Sequence, residues 1–183
     1  MSSYLASLKT QFQYYKTIAE DTIHQLPEEK LFWQFNEESN SIAMIINHLS
    51  GNMLSRWTDF RTSDGEKSWR NRDTEFEVTM TSKKEVMAQW DKGWTCLFDG
   101  LNSIANNEIE DLIYIRNMGH TITEALNRQL AHYTYHIGQI AFIGKMIQNE
   151  TWQSLSIPKG TSEQYNKEKF EKGKRTIHFT KDL

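Results

Sequence analysis

Residues 121–148 read TITEALNRQLAHYTYHIGQIAFIGKMIQ, and this stretch decides the fold class. Thr121 and Glu124 stand at capping-box spacing, where the hydroxyl accepts from the third helical N–H and the carboxylate reaches back to the cap. Behind that start, Ile122, Leu126, Tyr133, Ile137, Ile140, Gly144 and Ile147 recur on one side of a 3.6-residue repeat. The spacing predicts a long amphipathic helix, the fourth of the chain. A helix of that length is more than about 30 Å long and must bury its stripe against partners.

The partners lie upstream. Leu5, Leu8, Phe12, Tyr15, Ala19, Ile23 and Leu26 form a first stripe that stops before Pro27. Ser39, Asn40 and Ser41 offer N-cap oxygens before Ile42, Ile46, Leu49, Met53, Trp57 and Phe60, which predicts a second helix running to Thr62. Ser82 with Glu85 reads as another capping box, opening a third stripe through Val86, Trp90, Trp94, Leu97, Leu101 and Ile104. Residues 63–80 mix both charge signs without a period and read as a long surface loop. Residues 105–120 contain a short apolar run that suits a strand or extended chain equally well. After Pro158, a polar stretch is expected to add a final helical turn or two. The expectation is an all-α protein, a four-helix bundle with long connections, forming a single domain over 1–183 with 171–183 as a C-terminal tail.

Composition bounds the chemistry. At 183 residues, with 38% hydrophobic and 25% charged residues, the chain can bury a core without disulfides. Cys96 is the lone cysteine, so a metal would have to sit on nitrogen and oxygen rather than on a thiolate cluster. A formal charge of -3 offers no overall attraction to nucleic acid. The locally basic tail from Lys167 to Leu183, with six basic and three acidic residues, reads as a solvated terminus. No secretion signal opens the sequence and no run approaches the roughly 20 apolar residues of a membrane span, so a cytoplasmic protein with no membrane partner is expected.

Histidine placement carries the functional reading. His132 and His136 are four apart, one turn from each other on one side of the fourth helix. Counting about one hundred degrees per residue puts both to one side of the Tyr133 stripe. The same count on the second helix puts His48 at the flank of its own stripe, on the matching side. Spacing alone leaves two readings open, a metal site at a cleft between helices or hydrogen-bonded boundary residues. Gly51, Gly138 and Gly144 sit inside these two helices, each costing about 1 kcal/mol relative to alanine, which suggests close backbone approach, room for a ligand, or a simple packing accommodation.

The segments NHLSGNMLSRW (47–57) and AHYTYHIGQI (131–140), with SNSIAMIINHLSGNM (39–53), DGEKSWRNRD (64–73) and SLSIPKG (154–160), resemble a bacillus-type branch of the DinB/YfiT-like superfamily of bacterial four-helix proteins. The resemblance covers residues 3–170 and reaches the family's histidine on the second helix and its His-x-x-x-His pair on the last. It implies a divalent ion, nickel or zinc, on His48, His132 and His136, with water in the remaining positions. It further implies a metal-dependent enzyme that transfers a small cofactor thiol such as bacillithiol to an electrophilic small-molecule substrate. A metal-dependent hydrolase and a non-catalytic metal- or ligand-binding stress protein are the alternatives, and a homodimer is the implied assembly.

Arg56 is the candidate orienting group of the catalytic site, with Asn52, Asp59 and Gln139 near the same flank. Trp69, Arg70 and Arg72 in the long loop are suited to gripping carboxylates and planar groups over the cleft, or only to tying the loop down. His24, His120 and His178 read as structural or solvated, and Cys96 as a boundary packing residue.

Overall fold

A computed structural model describes residues 3–77 and 79–181. Met1, Ser2, Val78, Asp182 and Leu183, including the ends of the expected domain and tail, lie outside the described residues. The protein is mostly helical, with α1 (Tyr4–His24), α2 (Ile42–Trp57), α3 (Lys83–Ser103), α4 (Ile122–Gln148) and α5 (Ser162–Glu171). A two-stranded hairpin, β1 (Leu112–Ile115) and β2 (Met118–Thr121), leads into α4. Helix α2 lies against α3 and α4, and α1 lies against α4 and α3. Their stripes meet in a common core where Phe12, Trp90, Trp94 and Tyr133 are almost wholly buried. Phe12 packs its ring on Trp94 at 6.3 Å and on Tyr133 at 5.9 Å, an aromatic cluster that joins α1, α3 and α4.

Helix starts follow the side-chain chemistry. Ser41 caps α2, and Thr121 and Glu124 form a reciprocal capping box, with the Thr121 N–H donating to Glu124 at 2.8 Å. The box expected at Ser82 is half formed. Glu85 N–H donates to Ser82 Oγ at 3.3 Å, but the Glu85 carboxylate reaches past the cap to Thr81 N–H at 2.7 Å. Helix α2 stops at Trp57, five residues short of the expected Thr62. The chain leaves the helix at Thr58 and turns through Asp59 at φ 45°, a left-handed backbone that also delivers Phe60 to the core.

The undecided segment is the hairpin. Arg116 and Asn117 take φ 55° and 60° at its turn, the sign that a two-residue hairpin loop needs to match strand twist. Asp64 accepts from both of their backbone N–H groups at 2.8 Å, and Gly65 N–H donates to Tyr114 O at 2.7 Å. The long loop is therefore tied to the hairpin. Helix α5, at 10 residues, is longer than the expected turn or two. Beyond it, Phe179 rests edge-on against Tyr14 at 5.7 Å, which returns the tail to α1. Among the described residues, no helix is long and apolar enough to cross a membrane.

Candidate metal centre

The 27-residue α4 and the shorter α2, of 16 residues, bring three imidazoles together. One ring nitrogen from each of His48, His132 and His136 lies within 4.8 Å of the other two. Ring centroids are 5.3 Å apart for His48 and His132, 5.0 Å for His48 and His136, and 4.8 Å for His132 and His136. His48 is 4% exposed, deeper than a helix flank implies, because residues of the long loop fold over it. His132 and His136 are half-buried at the edge of the Tyr133 stripe.

The cover is a short 3-10 turn, Asp73–Phe76. Phe76 stacks on the His48 ring at 4.9 Å with 22° between planes. Beside it, the Glu75 carboxylate takes the Nδ1 side of His48, with Oε2 at 2.9 Å. Arg70 holds the same carboxylate from the other side, Nε donating to Oε1 at 2.7 Å and Nη2 to Oε2 at 2.9 Å. Asn47, next to His48 on α2, donates its amide to the Glu75 carbonyl at 2.9 Å. Gly51, one turn along from Asn47, is the reason the carboxylate fits. A Cβ there would meet the Glu75 carboxylate, which would have to shift from its place against His48 and Arg70.

These contacts fix the protonation pattern. Burial opposes charge on Glu75, but the hydrogen bond from His48 and the Arg70 guanidinium hold its carboxyl below the usual carboxylate range. For Arg70, burial likewise opposes charge, and Glu75 outweighs it and holds the proton more tightly than usual. Burial, helped by His136, His48, Arg56 and Arg70, pushes His132 down to about 3, so the ring is neutral at physiological pH. Burial also lowers His136, whose Nδ1 meets Gln139 Oε1 at 2.8 Å. An amide oxygen can only accept, so that Nδ1 carries the proton and Nε2 keeps its lone pair. The carboxylate of Glu75 imposes the same tautomer on His48.

The residues fit a divalent cation. His48 Nε2 and His132 Nε2 are 3.3 Å apart, the separation expected of two nitrogens that each lie about 2.1 Å from one tetrahedral ion. The donor set is three imidazole nitrogens with two of the outer Nδ1 atoms anchored, which is how histidine ligands are oriented from behind. The three histidines line a cavity of about 370 Å³ together with Arg56, Arg70, Arg72, Arg116 and Arg128 and with Asn40, Asn52, Gln129 and Gln139.

The other expected residues divide cleanly. Arg56 lines the cavity but is 6% exposed, its guanidinium held by the Gly65 carbonyl and by Glu66 Oε2 at 3.2 Å. Asn52 accepts from Tyr133 Oη at 3.1 Å, which ties the cavity floor to the core. Arg70, Arg72 and Gln139 line the cavity, whereas Asp59 and Trp69 do not. His24, His120, His178 and Cys96 lie outside it. Burial pushes the Cys96 thiol up, so it is a poor nucleophile at neutral pH. Glu75, Phe76, Arg116 and Arg128 escaped the sequence reading. Glycine at position 51, on the turn after His48, was the one signal for Glu75.

A family model described as "Protein of unknown function (DUF1572)" matches residues 1–161. No curated protein and no solved structure matches the chain.

Proposed function

For this chain, which belongs to the DUF1572 family, we propose a metal-dependent enzyme that transfers a small anionic thiol to an electrophilic compound. The ligands are His48, His132 and His136, and the ion is nickel or zinc. The observation that carries the reading is three imidazoles with one nitrogen each within 4.8 Å of the others, two of them anchored from behind through Nδ1, beside an arginine-lined cavity. The DinB/YfiT-like resemblance supports it, since that superfamily puts its ligands on the second and last helices of a four-helix bundle.

When bound, the ion would supply Lewis acidity that lowers the pKa of a coordinated thiol. The chain supplies the rest. Glu75 and Gln139 keep the Nδ1 protons of His48 and His136, so both rings turn their Nε2 atoms inward. Arg56 is braced by Glu66 and orients the anionic part of the thiol from the cavity wall. In the transfer, sulfur forms a bond to the electrophilic carbon, the displaced group leaves with its electron pair, and the thiol proton passes to solvent.

Among the described residues that line the cavity, none is acidic. The proton-managing group of a hydrolase is most often a histidine or a carboxylate. Beyond the three proposed ligands the described lining holds neither, whereas a thiol already deprotonated needs none. This favours thiol transfer over the hydrolase alternative.

The test is to purify the protein, measure bound metal, and mix it with bacillithiol and a chromogenic electrophile. Metal-dependent thiol consumption, lost with a chelator and in His132→Ala, is the expected result. Turnover of esters or amides without thiol would replace the reading with a hydrolase. Tight metal binding with no turnover would leave a binding protein.

A further inference from the structure

The cavity beside the histidines carries more positive charge than its own carboxylates balance. Five arginines line it. Glu66 serves three of them, pairing with Arg56 at 3.2 Å, Arg116 at 3.1 Å and Arg70 at 3.5 Å, and Glu75 serves Arg70 again. Five guanidinium groups against Glu66, Glu75 and the neighbouring Asp64 leave an excess of two positive charges about one cleft, before any cation is added. Arg128 and Arg72 face this cleft without a carboxylate partner among the described residues, and Arg72 lies over the Phe76 ring at 5.6 Å. Two buried polar atoms of the walls, Arg56 Nε and Gln129 Oε1, also lack a hydrogen-bond partner among the described residues. Unpaired buried donors and acceptors of this kind are costly unless a ligand or water meets them.

A second feature adjoins the first. Asn40 and Gln139 line the cationic cavity and also an apolar groove of about 460 Å³, whose walls include Trp33, Phe35, Phe142 and Met146. Phe35 is 72% exposed and Phe142 64%, large apolar surfaces left facing solvent along that groove. The two shared residues place the apolar groove directly beside the cationic cavity.

We infer that the site takes an organic acid with an apolar body, its anionic group held by Arg72, Arg116 and Arg128 and its apolar part lying along Trp33, Phe35, Phe142 and Met146. This rests on the reading of the cavity as the reaction site and names the chemical class of the electrophile. Arginine is suited to the first compartment because its fork matches a carboxylate and stays charged. The groove supplies affinity that grows with buried apolar area.

Calorimetric titration of the purified chain with hexanoate, octanoate and decanoate tests the assignment, in metal-free and zinc-loaded protein. Affinity is expected to rise about two- to fourfold per added methylene. Arg128→Glu and Arg72→Glu, both at exposed positions, should each weaken octanoate about tenfold at low salt. Phe142→Asp should flatten the dependence on chain length while leaving hexanoate binding nearly unchanged. Circular dichroism melts of each variant establish that it is folded. Binding indifferent to the arginine changes, or to chain length, overturns the inference. So does a Phe142→Asp protein that changes from dimer to monomer, because a second copy then covers the groove. Zinc that fails to bind while carboxylates still do would remove the metal reading and leave this one standing.

Discussion

The two halves of the candidate centre are built in opposite ways. His48, His132 and His136 are carried on helices α2 and α4, whose direction and phase follow from apolar periodicity. Arg70, Glu75 and Phe76 are carried on a loop with no period, held to α2 by a carboxylate, a ring stack and one amide contact. The helical half offers nitrogen atoms, and the loop half decides which nitrogen of His48 faces inward. The placement of a helix-borne histidine cluster therefore depends on its least regular neighbour, and the dependence can be measured.

Removing the carboxylate should have the largest effect. Glu75→Ala leaves the Arg70 side chain, 2% exposed, and His48 without their shared partner. The expected loss is about 3 kcal/mol of stability, a fall of roughly 6–12 °C in Tm for a chain of this size, read by calorimetry. Zinc affinity should drop about 10- to 100-fold in the same protein, read by competition with a chromogenic chelator. Unchanged zinc affinity would break the claimed dependence of helix on loop.

Acid should expose the same link. The Glu75 pKa is lower folded than unfolded, so its contribution is present above the ordinary value of 4.5 and is lost as pH falls through the folded value. In Glu75→Gln the acid limb of the stability curve should be shallower than in the parent, which urea melts across pH 3 to 6 would register.

Smaller effects separate three glycines that look alike in sequence. Gly51→Ala drives a methyl into Glu75 and should reduce zinc affinity about tenfold while costing about 1–2 kcal/mol. Gly144 has a different role, since a Cβ there would meet Thr22 Cγ2 of α1 at 2.3 Å, a packing contact of two helices. Gly138 has nothing within 4 Å, and Gly138→Ala should stabilise α4 by up to about 1 kcal/mol with zinc binding unchanged. The smallest effect is chemical. Cys96, with its thiol raised by burial, should react with iodoacetamide about tenfold more slowly in the folded chain than in urea, by mass spectrometry.

Legibility tracks the range of the interactions involved. The capping box at Thr121 and Glu124 and the stripe through Tyr133 and Ile137 are local patterns, and the structure carries both as read. The early stop of α2 at Trp57 was hidden because Phe60 continues the apolar spacing from a left-handed turn rather than from a helix. The hairpin at 112–121 was ambiguous because its turn, Arg116 and Asn117, is stabilised by Asp64, about fifty residues away. Arg56 was legible as a cavity residue, yet its brace on Glu66 was not, since the loop returns to α2 only after folding.

Periodicity and helix-start chemistry, which act within one or two turns, were sufficient to establish from residue order alone that the protein is helical and that His132 shares a face with His136. Tertiary structure decided that His48 joins them, that Glu75 and Arg70 lie behind it, and that five arginines line the adjoining cavity. Contacts between distant segments depend on how helices pack and where loops return, and neither carries a repeating signature along the chain.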